Sequence, residues 1–438
     1  MVRFIILLII AAIPVFCQTA DTLKLKKNES VVIDSIVIRG NNTTKDFIIL
    51  RELTIKPGDK VNLKTIDYNR ERIYSLSLFN YVDLYVIQED GLKKLLISVY
   101  EKWYIYPIPF LTFNENDFSK ASYGVDFLLQ NFRGRNESIN VNVSLGYDPT
   151  YYLSYSNPWL MYDHKLSLSA SLAYQKISNK SYNAEALYGD DFDYKMVSVN
   201  FGLGKRINQF NELSLLFGYE YVEGPAKGLK QVTASEEKID HIPYAGLSYV
   251  YDTRDLKIFP RDGLYTEVSY IHNGFNTQGI LYNLFMVDFR QYEELFYNFT
   301  AKWRVDYRQV FGKLVPYYDY LYMSGEIRGH KDNEEEGKQR IIGSAELSYT
   351  LFKDWKFGLN LPILPKNLTS ARIGMNVYLF TDTGTAYDDY DELTLNRFYS
   401  GYGAGLNVLI MPHNSVRFEY AFDEYMNGEF IIGVGFSF

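Results

Sequence analysis

Catalysis and metal binding each require particular residues at particular spacings, and few candidates are present. The five histidines, His164, His241, His272, His330 and His413, are scattered, and none has a partner at metal-ligand spacing. No Gly-x-Ser-x-Gly elbow appears. The one cysteine, Cys17, closes an N-terminal apolar run and offers no nucleophile to a mature protein. The acid run Asp332-Asn-Glu-Glu-Glu336 is dense enough to suggest calcium, but its spacing matches no defined ion loop, and it reads as a solvated segment. The expectation is a protein that is not an enzyme and carries neither cofactor nor metal.

The final strand points to a different use of the chain. Phe430, Ile432, Val434, Phe436 and Phe438 alternate with Ile431, Gly433, Gly435 and Ser437. One face is apolar and the other mostly small or polar, as in a strand between lipid and a wet lumen. A soluble edge strand would show the same pattern over this segment alone. The 438 residues include 40 Tyr and 29 Phe, yet mean hydropathy is −0.20. Beyond the N-terminus no apolar run approaches the ~18 residues of a membrane helix. Such a balance suits a membrane barrel, where alternation hides the hydrophobicity and aromatics gather at the two interfaces. A net charge of −8 argues against nucleic acid as a partner.

Three regions must position these strands. Residues 1–20 read as a secretory signal peptide: Arg3, the apolar stretch Phe4 to Phe16, then Cys17-Gln-Thr-Ala20, with Val15 and Cys17 available as the small residues before the cut. Lipoprotein processing at Cys17 also fits its position, against the bulk of Phe16. Residues 29–101 predict a small α+β domain: a strand Val31–Arg39, a short helix capped by Thr43 or Thr44, a helix opened by Asn62 with Leu63, Ile66, Ile73 and Leu76 on its apolar face, and two strands joined at Asp90-Gly91. Residues 103–438 hold about sixteen alternating segments, starting near residues 103, 122, 137, 151, 166, 196, 212, 243, 265, 281, 299, 341, 373, 401, 416 and 430. A sandwich would also bury alternate faces, but without such steady Ser, Asn and Gly on one side.

The order β-α-α-β-β, with Ile36-Val-Ile-Arg-Gly-Asn41, Arg51-Glu52, Pro57-Gly58 and Ser77-Leu-Phe-Asn-Tyr-Val82, resembles a POTRA domain. In the barrel, three phrases resemble the BamA/TamA superfamily (the bacterial surface antigen family) of outer-membrane proteins: Asp252-Thr-Arg-Asp255 with Pro260-Arg-Asp-Gly263, Ile327-Arg-Gly-His330, and Asp382-Thr-Gly384. The resemblance spans almost all of the mature chain. It implies a membrane all-β fold, an antiparallel transmembrane barrel of about sixteen strands in the outer membrane, preceded by one periplasmic POTRA domain. Family members with a lipase domain carry it ahead of the POTRA, and here the short stretch after the expected signal cut leaves it no room.

The family's Arg-Gly-aromatic motif tips a long loop folded into the lumen, and here His330 stands where Phe or Tyr is usual. Ile341, Gly343, Ala345, Leu347 and Tyr349 read as lipid-facing, so Glu346 points inward; Ile373, Met375, Val377 and Leu379 likewise turn Asp382 inward. Arg328, beside Gly329, is therefore expected to latch the loop to Glu346 and Asp382, although both acids could merely line a hydrated lumen. Pro107 and Pro109 in the first strand, with Gly433 and Gly435 in the last, predict a weak seam. The resemblance implies assembly, insertion or translocation of unfolded outer-membrane or secreted client proteins. Outer-membrane lipids and periplasmic accessory proteins are the further expected partners. A pore dedicated to one secreted partner and a passive or structural barrel remain open, and a lone POTRA domain suggests an accessory member with few clients.

Overall fold

The computed structural model describes residues 29–113, 121–161, 164–189, 192–226, 229–331, 333–362, 364–412 and 414–435. The expected signal peptide with Cys17, and Asp332, His413, Phe436 and Phe438, lie outside the described residues.

The N-terminal domain runs β1 (Ser30–Val32), β2 (Ser35–Arg39), α1 (Asp46–Leu50), β3 (Lys60–Asn62), α2 (Leu63–Tyr74), β4 (Phe79–Glu89) and β5 (Leu92–Glu101). β4 and β5 form an antiparallel hairpin, and β2 pairs in parallel with β5. Asp90 and Gly91 both take positive φ at the hairpin turn, the geometry that matches strand twist. Asn62 opens α2 by accepting the Thr65 N–H at 2.9 Å. Ile66 and Ile73 face the core with Ile48, Ile49, Leu95 and Ile97.

Three details correct the sequence reading. The strand expected over Val31–Arg39 is split, because Ile33 N–H bonds Asp59 O and the next residue, Asp34, bonds Lys93 O, so the backbone changes partner between β3 and β5. Neither Thr43 nor Thr44 caps α1. Lys45 holds that position, and both threonine N–H groups donate to the Glu101 carboxylate. Leu63, expected on the buried face of α2, is exposed.

The barrel begins with β6 (Ile105–Phe113), β7 (Ala121–Phe132), β8 (Glu137–Gly146), β9 (Thr150–Met161) and β10 (Leu166–Ser178). After helix α3 (Tyr182–Tyr188) follow β11 (Asp193–Arg206), β12 (Asn211–Glu223), β13 (Ile239–Asp252), β14 (Gly263–Asn273), β15 (Tyr282–Glu294) and β16 (Phe299–Gly312). A long loop carries the short pair β17 (Leu321–Tyr322) and β18 (Glu336–Gly337). The chain then completes the wall with β19 (Gln339–Gly358), β20 (Ser370–Tyr387), β21 (Tyr399–Met411), β22 (Asn414–Asp423) and β23 (Gly428–Val434).

These wall strands form one sixteen-stranded antiparallel sheet in which every neighbour in space is the neighbour in sequence along the wall. Each begins close to where the alternation places it. Leu213, Leu215 and Phe217 on β12, Leu247 and Tyr249 on β13, and Phe430, Ile432 and Val434 on β23 are exposed on the outside. Ser144, Asn376, Asn407, Glu346, Asp382 and Glu419 are buried on the inside. Apolar outside and polar inside is the reverse of a water-soluble barrel and fits a lipid solvent. At the end away from the N-terminal domain, Phe192, Tyr194, Val222, Val232, Ile280, Tyr282, Val315 and Tyr320 pack into a cluster that ties strand ends to loops.

Candidate functional site

Inside the wall, the loop between β16 and β19 brings Arg328 down onto three carboxylates from three strands. Its Nε donates to Asp382 Oδ2 at 2.6 Å and its Nη2 to Asp382 Oδ1 at 2.8 Å, a bidentate pair. Nη1 donates to Glu346 Oε1 at 3.0 Å and to Glu419 Oε1 at 2.8 Å. The guanidinium lies 3.7 Å from the centre of the Phe380 ring, which closes its remaining face. Lys302 stands 3.6 Å from Glu346, and Arg417 stands 3.2 Å from Glu419. Three cations thus meet three buried carboxylates, a balance that an enclosed lumen requires.

Gly329 takes φ +93°, a left-handed turn that suits glycine, just after the arginine. On the facing strand, a Cβ at Gly401 would collide with the Arg328 carbonyl oxygen. Gly401→Ala is accordingly expected to lift the loop while the barrel stays folded. Limited proteolysis should then cut within residues 313–338 of the variant and spare the parent protein. His330 places its ring edge-on to Tyr399, with centroids 5.2 Å apart, and Nε2 lies 2.7 Å from Glu424 Oε2. The imidazole keeps an aromatic contact and adds a polar one that Phe would lack. The acid run beyond it is not simply solvated: Glu335 accepts from Arg397, and Glu336 accepts from Ser181 and Asn183 at the start of α3.

At the opposite end the β13–β14 turn folds toward the barrel axis. Asp252 accepts from Arg254 at 2.9 and 3.1 Å, Asp255 accepts the Arg261 N–H at 2.9 Å, and Gly263 takes φ +114°. These bonds project Leu256 and Phe259 into the apolar core of the N-terminal domain. Phe259 also sits 4.4 Å from Lys302 Nζ, directly beneath the arginine knot. The N-terminal domain docks on this turn through Tyr68 Oη to Thr253 O at 3.1 Å. It reaches other turns too: Lys45 N–H bonds Gly134 O, Glu52 pairs with Arg206, and Asn80 bonds Asn367 O. The buried pair Glu71–Arg372, bidentate at 2.8 and 2.9 Å, anchors α2 to β20.

The third feature is the junction of first and last strands. Among the described residues no ladder joins β6 to β23. Pleat phase shows what each edge offers. Gln130 N–H donates to Tyr104 O, so even-numbered residues of β6 face β7 and odd-numbered ones face the seam. Pro107 and Pro109 are odd, and the donors they lack are seam donors. On the other side Gly435 N–H donates to Ser415 O, so Phe430, Ile432 and Val434 turn their backbone groups to the seam. β6 can accept from them but cannot donate back at two positions. Gly433 faces inward, where a Cβ would crowd the guanidinium of Arg417.

A sixteen-stranded wall that is apolar outside and charged within, with a small α+β domain docked at one mouth, defines an outer-membrane β-barrel with a periplasmic POTRA domain. Residues 131–438 match the Omp85 superfamily domain, and residues 31–102 match the POTRA model described as a surface antigen variable number repeat. The chain belongs to the Omp85 superfamily. It resembles the structure of BamA from Haemophilus ducreyi lacking POTRA domains 1-3, with TM-score 0.53, 16% identity, and coverage of 92% of this chain and 84% of that one. It also resembles CdiB from Escherichia coli, with TM-score 0.52, 13% identity, and coverage of 92% and 75%. At these identities the likeness is one of fold. A Treponema pallidum (strain Nichols) protein, named "Putative outer membrane protein assembly factor", is 26% identical over 135 residues. That match spans 30% of this chain and 16% of the relative's length. The protein resides in the outer membrane, with its POTRA domain in the periplasm.

Sequence reasoning placed Arg328, Glu346 and Asp382 and missed their companions. Glu419 shares its parity on β22 with Arg417 and Ala421, opposite the outward Phe418 and Tyr420, so alternation could have found it. Lys302 carried the same signal, beside the outward Trp303 and Val305, and stands directly across the β16–β19 ladder from Glu346. Phe259 carried none, because it meets the POTRA core only once the turn is folded.

Proposed function

We propose that this protein is a non-enzymatic factor for the assembly or translocation of outer-membrane or secreted polypeptides, which it engages at the β6–β23 seam. The unpaired seam carries the reading. Its β23 edge presents the N–H and C=O groups of Phe430, Ile432 and Val434, while Pro107 and Pro109 leave β6 unable to satisfy them all. Unpaired strand edges recruit extended chains by backbone hydrogen bonding, which asks little of the client's sequence. The obstructed interior weighs against a passive pore: the arginine knot, Phe259 and the docked POTRA domain lie one below another along the lumen. A conduit for one dedicated partner would have to clear all three.

The test uses the purified protein in liposomes, with an unfolded outer-membrane protein added and its heat-modifiable folding followed over time. Folding should run faster than in empty liposomes. It should fall to the empty-liposome rate when a cysteine in β6 is oxidised onto one in β23, and recover on reduction. Acceleration that persists with the seam locked would remove the seam from the mechanism. No acceleration with several unrelated clients, together with steady conductance, would favour a pore.

A further inference from the structure

We infer that the junction between the POTRA domain and the barrel holds a binding site for a small oxyanion of the phosphate class, centred on Arg51. A cavity of about 250 Å³ opens there between the POTRA helices and the β11–β12 turn, lined by Arg51, Arg72 and Arg206 together with Glu52. Glu52 satisfies two of these arginines. Its Oε1 accepts from Arg206 Nη1 at 2.8 Å, and its Oε2 accepts from Arg72 Nη2 at 2.9 Å and Arg206 Nη2 at 3.2 Å.

Arg51 is left over. Its side chain is only 8% exposed, and its guanidinium carbon lies 5.2 Å from the centre of the Trp159 ring. Nε stands 3.4 Å from Glu52 Oε1, at the edge of an ion pair whose oxygen already takes Arg206. Nη1 is buried with no acceptor among the described residues, and so is Arg72 Nε. Buried polar groups of this kind are rarely left unmade, because each lost bond to a charged donor costs more than a neutral one.

Water could fill the gap, but charge selects an anion. Three guanidiniums surround one shared carboxylate. Of the other two acids on the cavity wall, Asp252 is paired with Arg254 and Lys257, and Glu212, which accepts from Ser167 at 2.9 Å, forms no salt bridge with Arg51 among the described residues. Burial pulls the Arg51 pKa down to about 10 against the opposing pull of Glu52, with Arg206 adding repulsion. A tetrahedral oxyanion offers acceptors on several edges and can serve donors that approach from different sides. The site opens at the periplasmic mouth of the barrel, and a free phosphate and a lipid phosphate headgroup share the required chemistry.

Titration calorimetry on the full-length protein in detergent, with inorganic phosphate added at ionic strength held constant by chloride, tests the site. Saturable binding is expected in the parent protein, weakened about tenfold in Arg51→Gln and partly retained in Arg51→Lys. Phosphate should also change the fluorescence of Trp159 in the parent protein, a signal that Trp159→Phe removes, so the site is tested even if Arg51→Gln fails to fold. Dihexanoyl phosphatidic acid binding more tightly than glycerol phosphate would assign the site to a lipid headgroup, and equal binding to a free phosphate. No saturable phosphate binding in the parent, or equal binding by parent and Arg51→Gln, would overturn the inference.

Discussion

Arg328→Ala should unseat the long loop and lower the stability of the barrel by ~3–5 kcal/mol, the usual cost of removing one member of a buried charge pair. Among the described residues the guanidinium is the one group that touches Asp382, Glu346 and Glu419 together. Without it three carboxylates share an enclosed space with Lys302 and Arg417 alone, and Asp382 loses both of its short bonds. Arg328→Lys should fall between, because an ammonium keeps the charge but cannot span the two oxygens of Asp382 while reaching Glu419. The temperature at which folded mobility is lost on a gel, read beside protease cutting in residues 313–338, measures both consequences. Unchanged values in Arg328→Ala would mean that the acids only line the lumen. Asp382→Asn offers the converse check: it should weaken the same loop, because it leaves three cations facing two carboxylates.

The second large effect is expected where α2 meets β20. Arg372→Ala leaves Glu71 buried with only Arg70 beside it, and the POTRA domain should swing free of the mouth. Protease access to the 69–76 stretch and the spacing of probes on the POTRA domain and the barrel would report the release. Acid should do the same to the parent protein. Burial pushes the Glu71 carboxyl up, but the Arg372 and Arg70 guanidiniums outweigh it and hold the pKa down to about 2. Glu52 behaves alike, with Arg206 and Arg72 overcoming burial to hold it at about 2. A carboxyl whose folded pKa is depressed stabilises the docked state fully above its unfolded value near 4.5, and that contribution is lost as pH falls toward 2. Docking should therefore hold from neutral pH to about 4.5 and weaken progressively between there and about 2. In Arg372→Ala the acid transition should move to higher pH, because Glu71 has lost its main counter-charge.

How much of this was legible beforehand depended on the range of the interaction. The pleat is local, so alternation alone located sixteen strands and turned Glu346 and Asp382 inward. The split of Val31–Arg39 was hidden, because its two halves choose partners, β3 and β5, that lie far along the chain. The same holds for Thr44, a good helix cap by residue type that is claimed instead by Glu101. Pro107 and Pro109 were enough to expect a weak seam. That the donors they lack lie on the seam edge of β6 needed the bond from Gln130 to fix the phase. The POTRA contacts were the least visible, since Glu52, Glu71 and Arg72 on a short α+β domain look like ordinary helix-surface charges until a second domain covers them.

The POTRA domain also limits how the wall can deform. It grips turns or strand ends from β7–β8 around to β19–β20, and β5 runs directly into β6. A split ring held by a collar around most of one rim is stiff where it is gripped, and β5 ties β6 to that collar. Any parting of the seam then falls to the strands outside the grip, β22 and β23, which would swing away from a fixed β6.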